Sequence, residues 1–379
     1  MDEKSFKDSP DSKTRREFLK IAGTVPLIYS IPHKSGQNKE DSTIKRARYY
    51  RKLPDKKVQC LLCPWQCVVR EGQKGHCQVR RNIEGKYYSL VYGRVSAYHV
   101  DPIEKKPFFH FLPGTNAFSI ASVGCNVDCK FCQNWEIARR GLKDVPFAKL
   151  TPEYIVKYAK ISGCRSIAFT YNEPTISTEF NYDVAALAKE NNIHSVVISN
   201  GFINKKPLQD LAKVIDAYKV DLKAFDQSYY TNIVHGKLKP VLDTIVNLKS
   251  EGVWTEIVYL TVPTLNDDPL KIKKMARWIK NEVGPDVPVH FSRFYPRYKL
   301  KNLPPTSVST VEKLRNTALD VGLNFVYIGN VPGNEGENTY CPNCGKPVIR
   351  RIGFQVTEIK LNKGACLYCG NKLPGFWEE

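Results

Sequence analysis

The chain has 379 residues, with 57 Lys and Arg against 38 Asp and Glu, a formal charge of +19. An apolar share of 42% excludes a disordered chain. No apolar run reaches the roughly 18–20 residues that a membrane span needs. The length suits two or three domains, or one barrel-sized domain with appendages. The charge favours anionic partners and says nothing about fold. Twelve cysteines are many for a cytosolic chain, and a chain this long needs no disulfide stapling.

In chain order, the first feature is Thr14-Arg15-Arg16-Glu17-Phe18-Leu19-Lys20, followed by a weakly apolar run from Ile21 to Ile31. This resembles a twin-arginine signal and predicts export of the folded protein, with the cytoplasm as the alternative. We assign 1–34 to that segment, 35–57 to a charged linker and 58–115 to a Cys-rich module. From Ala117 short apolar runs alternate with helix-period segments. The strand-like runs are Ala117 to Val123, Ser166 to Thr170, His194 to Ser199, Tyr218 to Leu222, Thr255 to Val262, Val287 to Phe294 and Phe325 to Ile328. The helical segments are Pro152 to Ile161, Ile176 to Glu190, Leu208 to Ile215, Val241 to Ser250, Leu270 to Glu282 and Val308 to Asp320. Thr151-Pro152 and Thr306 suit helix starts. Such alternation predicts βαβ units and a parallel sheet. The fold class is α/β, an open or partial barrel over 116–333, with sites at the C-terminal ends of its strands.

Eleven of the cysteines fall into three sets. Cys60, Cys63, Cys67 and Cys77 lie within 18 residues. Cys125, Cys129 and Cys132 follow the first strand. Cys341, Cys344, Cys366 and Cys369 form two CxxC pairs in 334–379, each followed by Gly. Gaps of two or three residues bring thiolates toward one point, which is ligand geometry. The terminal pairs predict a zinc-ribbon or rubredoxin-like module, with Zn, or Fe on the same ligands. The N-terminal set suits another Zn or an auxiliary Fe–S cluster, and spacing does not separate these. Cys164 stands alone and reads as a small buried hydrophobe.

The central loop, Gly124 to Asn134, has the spacing C-x3-C-x2-C. Three thiolates on one tight loop can hold three irons of a 4Fe–4S cube and leave the fourth open. This loop resembles the hallmark of the radical SAM superfamily, including an aromatic, Phe131, before the third cysteine. The resemblance implies a radical SAM partial (β/α)6-type TIM barrel. It also implies a 4Fe–4S cluster that binds S-adenosylmethionine and cleaves it to a 5′-deoxyadenosyl radical. Tyr171-Asn172-Glu173 stands where that family often has Gly-Gly-Glu, so Glu173 is expected to bind the methionine amino group. Ser199 and Asn200 close the third strand and offer groups for carboxylate or ribose. Asp221 and Lys223 share a face at period two. His290 and Arg293 on the sixth strand complete the expected cofactor-binding set.

The chain is also similar to pyruvate formate-lyase activating enzymes at Asp221-Leu222-Lys223. It looks closer to the AmmeMemoRadiSam group, through Cys60 to Cys67, Glu71 to Cys77, Asp101 to Pro107, His290 to Phe294 and Tyr327 to Gly333. That group implies Memo-like and AMMECR-type partners. The chemistry calls for a low-potential donor of flavodoxin or ferredoxin type, and an activase acts on a partner protein. Two other classes compete: an iron–sulfur electron carrier, and a basic zinc-ribbon nucleic-acid binder. No recognised aromatic–basic motif supports nucleic acid as a partner.

Overall fold

A computed structural model describes residues 43–377. The export-type segment expected over 1–34 lies outside them, as do residues 35–42 of the expected linker.

Seven strands lie side by side in chain order, each parallel to its neighbour. They are β1 (Asn116–Ala121), β2 (Ser166–Phe169), β3 (His194–Ser199), β4 (Ala217–Asp221), β5 (Trp254–Thr261), β6 (Val289–Arg293) and β7 (Val326–Gly329). Six helices link them: α1 (Pro152–Ile161), α2 (Thr178–Glu190), α3 (Lys205–Ala212), α4 (Leu238–Ser250), α5 (Pro269–Glu282) and α6 (Val308–Asp320). β2 is buried at every position, as a sheet covered on both faces requires. β7 does not return to β1. An antiparallel strand, Ala97–Pro102, pairs along β1 instead and forms the other edge, so the barrel is partial.

Local chemistry sets the helix starts. Thr151 accepts from the Tyr154 N–H ahead of Pro152. α6 is capped by Ser307 rather than by Thr306 as expected. The Thr306 hydroxyl is buried, donating to the Thr261 carbonyl at 2.6 Å and accepting from Phe294 N–H at 3.2 Å, so it ties β5 to β6. Cys164 is buried in the core between helices and sheet, as expected.

Two expected boundaries shift. Within the expected linker, Lys45–Arg46 pairs with the strand Lys86–Ser89, and Tyr50–Lys52 with Val58–Cys60. Backbone pairing, not charge, decides these residues. The Cys-rich module expected over 58–115 ends earlier, because Ala97–Pro102 joins the barrel sheet. The next segment, residues 103–112, then plugs the barrel interior.

Ile103, Phe108, Phe111 and Leu112 of this plug pack on Ala117, Ala168, Val196 and Ala217 of the inner face. Small residues there leave room for the aromatic rings. Glu256 on β5 is fully buried and accepts from Phe109 N–H at 3.0 Å, His110 N–H at 2.9 Å and the Trp254 indole at 3.1 Å. The terminal module adds Arg351, which donates to the Phe109 carbonyl at 2.8 Å and pairs with buried Glu104 at 3.6 Å.

His110 sits in this floor. Its ring nitrogens lie 2.7 Å from the Pro374 carbonyl and 2.6 Å from Tyr327 Oη. A neutral ring satisfies both. Burial lowers its pKa from 6.5 to about 4. Unfolded chains take up this proton below pH 6.5, and the folded chain only near pH 4. The stability from His110 is therefore full above pH 6.5 and falls on acidification toward pH 4. Urea midpoints are expected to drop over that window, and less steeply in His110→Phe; equal slopes would refute the assignment.

Candidate functional site

The three-cysteine loop leaves the C-terminal end of β1. Its first residue, Gly124, has φ +102°, a region that favours glycine. A Cβ there would stand 2.8 Å from Val79 Cγ1 and 3.1 Å from the Cys77 carbonyl. The loop is then pinned along its length. Asp128 N–H and Lys130 N–H donate to the Val234 and Ile233 carbonyls at 3.1 and 2.9 Å. The Asn126 side chain donates to the Phe202 carbonyl and accepts from Asn200 Nδ2, both at 2.8 Å. Its carbonyl accepts from the Trp65 indole at 2.6 Å. Arg139 pairs with Asp128 at 3.1 Å.

Burial raises the thiol pKa of Cys125 and Cys132, and that of Cys129 to about 12. Thiols placed this way ionise when a cation takes them. Among the described residues, only the terminal cysteines bring three or more ligand atoms within 4.8 Å of one another. The three loop thiols stand wider than ligands on one ion, as the corners of a cube require. Asn200 Nδ2 lies 3.9 Å from Cys125 Sγ and can donate to that sulfur. The donor set, spacing and this N–H fit a 4Fe–4S cluster.

Around the loop, the strand ends converge. Glu173 is buried. Its carboxylate accepts from Thr175 N–H at 2.9 Å, Ser199 Oγ at 2.7 Å and Asn200 N–H at 2.9 Å. Burial raises its pKa from the usual value despite these bonds. Tyr171 keeps a glycine-like backbone, φ +68°, where the sequence lacks the glycine. Its hydroxyl donates to Asp101, and its carbonyl accepts from Asn134 at 2.6 Å. Asn172 Nδ2 donates to the Gly124 carbonyl at 2.9 Å.

At the end of β4, Asp221 and Lys223 share a face as expected, and they also pair with each other, Lys223 Nζ meeting Asp221 at 2.7 Å. Sequence reading missed Lys219, which pairs with the other Asp221 oxygen. The period-two alternation Lys219, Asp221, Lys223 was the available signal. Burial opposes ionisation of Asp221, yet the two lysines hold its pKa near 2. Burial likewise opposes the charge of Lys223, and Asp221 and Cys129 outweigh it, raising its pKa. Also missed was Asp101, which binds Lys105 at 2.7 Å and Lys106 at 2.6 Å beside Tyr171.

A family model described as Radical SAM superfamily matches residues 119–276. The Methanocaldococcus jannaschii protein MJ0808 is 44% identical over 332 residues, 87% of this chain and 99% of that protein. The pyruvate formate-lyase-activating enzyme of Clostridium pasteurianum is 30% identical over 164 residues, 42% of this chain and 67% of that one. The chain belongs to the radical SAM superfamily. A solved radical SAM methyltransferase from Sphaerobacter thermophilus aligns at TM-score 0.47 and 16% identity, over 60% of this chain and 71% of that one.

Two residues expected in the radical SAM site lie elsewhere. His290 is the second residue of β6, so it faces the barrel floor, where Nε2 meets Glu256 at 2.7 Å. Arg293 shares the parity of Val289 and Phe291, which pack against the helices. Its Nε donates to the Thr306 carbonyl at 2.6 Å and its Nη1 to Tyr295 Oη at 3.1 Å.

The terminal cysteines form a closed set, with Cys341 Sγ 3.6 Å from Cys369 Sγ and Cys344 Sγ 3.8 Å from Cys366 Sγ. A tetrahedral ion with bonds near 2.3 Å places its sulfurs about 3.8 Å apart, so one ion fits. This module packs on Phe109, Phe325 and Tyr327 at the barrel floor. Cys60, Cys63, Cys67 and Cys77 line one cavity beside the three-cysteine loop.

Gly124→Ala is expected to cost about 1–3 kcal/mol through backbone strain and the clash with Val79. A lowered thermal midpoint and reduced iron uptake would show it; an unchanged midpoint would refute it.

Proposed function

We propose that this chain is an activase-like radical SAM enzyme that abstracts hydrogen from a partner protein. The observation that carries the reading is the loop of Cys125, Cys129 and Cys132 at the end of β1, with Glu173, Asn200 and the Asp221–Lys223 pair placed around it. These thiols would hold a 4Fe–4S cluster, which would supply the one-electron reductive cleavage of S-adenosylmethionine to methionine and a 5′-deoxyadenosyl radical.

The chain's own groups bind and orient. Glu173 fixes Asn200 N–H, and its one remaining lone pair accepts from the methionine ammonium. Lys223, kept charged by Asp221, offers a donor to the carboxylate or ribose. Ser199 acts on Glu173 rather than on the ligand. A flavodoxin or ferredoxin supplies the electron. The Clostridium pasteurianum relative, by its name, activates another enzyme, which supports a protein substrate. The narrower resemblance to the AmmeMemoRadiSam group supports Memo-like and AMMECR-type proteins as partners. Zinc, or iron, at the terminal cysteines serves the fold.

Anaerobically reconstituted protein with dithionite and S-adenosylmethionine is expected to release 5′-deoxyadenosine, and Cys129→Ala at least about 100-fold less. A fully loaded protein that releases none would overturn the reading.

The Thr14 to Lys20 segment further supports export of the folded protein. Fractionation of wild type against Arg15→Lys/Arg16→Lys tests this; an unchanged location means the signal is not used.

A further inference from the structure

We propose that Cys60, Cys63, Cys67 and Cys77 hold a second 4Fe–4S cluster, packed against the Cys125 loop, which relays the electron to it. The cluster itself goes beyond the function proposed above; only the electron's destination rests on it.

Four features of the site carry this. First, the four thiols line a single cavity, together with Arg80, Asn126 and Thr175. Second, no three of them lie mutually within 4.8 Å, whereas the terminal set does. A lone tetrahedral ion draws its sulfurs to about 3.8 Å, while a cube with four corners takes them wider apart.

Third, a donor on the cavity wall lacks an acceptor. Arg80 is 1% exposed; it pairs with Glu179 through Nη2 and donates from Nε to the Ile176 carbonyl, yet its buried Nη1 makes no hydrogen bond. Thr175 Oγ1, also buried, lines the same wall within reach of Glu173 and Tyr218. Orphaned buried donors are rare and costly, and a cation and a hydroxyl both suit an anionic, sulfide-bearing group. A cluster offers bridging sulfides as well as thiolates.

Fourth, the two cysteine sets share a wall. Asn126 lines the cavity and binds Asn200, whose Nδ2 approaches Cys125 Sγ at 3.9 Å. Gly124 lies against the Cys77 carbonyl. An electron entering from a flavodoxin- or ferredoxin-type donor then passes one loop inward. One electron arrives and one leaves, and no bond is made or broken at this cluster.

The test uses the full chain with Cys125→Ala/Cys129→Ala/Cys132→Ala, reconstituted anaerobically. It is expected to keep about four irons and four inorganic sulfides per chain. The mononuclear terminal site holds no sulfide, so sulfide is the decisive count. Zinc without sulfide would overturn the proposal. If the triple variant does not fold, wild type decides: about eight sulfides support a second cluster and about four overturn it. In the triple variant, Thr175→Val is expected to move the reduction potential to a more negative value, and Thr175→Ser to restore it; an unchanged potential overturns the placement in this cavity. S-adenosylmethionine cleavage enters neither readout. Sulfide retained by a chain that releases no 5′-deoxyadenosine would refute the proposed function and leave this cluster standing.

Discussion

The buried carboxylate of Glu256 organises the molecule. It takes two backbone N–H groups of the plug, the Trp254 indole and the His290 ring. Burial alone would neutralise it, and His290 with the other donors keeps its pKa below the usual value. A carboxylate so deep is tolerable only with its lone pairs filled. Filling them draws residues 103–112 into the barrel, and the plug in turn fixes both ends of the fold.

The floor reaches the site above through a short series of contacts. Arg351 of the terminal module holds the Phe109 carbonyl. The same plug carries Lys106, which pairs with Asp101, and Asp101 receives the Tyr171 hydroxyl. The Tyr171 carbonyl is bound by Asn134, at the end of the cysteine loop. The links are buried or half-buried as far as Tyr171, and only Asn134 at the end is exposed, so the terminal module supports the reactive end although it packs at the other. Asp101 and Lys106 thus do locally what a closed barrel would do by strand pairing.

Much of this was legible in the sequence. Apolar runs such as Ser166 to Thr170 and His194 to Ser199 marked the strands, because only a sheet covered on both faces tolerates them. Thr151-Pro152 marked a helix start. The Cys125, Cys129 and Cys132 spacing placed the loop, and Asp221 and Lys223 share a face as their parity required. What parity cannot give is height along a strand, and there His290 was misplaced: it points inward as expected, but at the floor. Arg293 failed on parity itself. The plug carried no periodic signal, since Ile103 to Leu112 is neither helix nor strand beyond one short turn. Glu256 was hidden for the same reason: a charged residue inside an apolar run looks like a solvent face until its partners are known.

The position of Arg351 in the chain has a consequence for biosynthesis. It is made after all seven strands, yet it anchors the plug on which the floor rests. The ribosome therefore releases a complete α/β array before its base can be locked. Until Arg351 is in place, the Phe109 carbonyl lacks its donor and buried Glu104 lacks its cation.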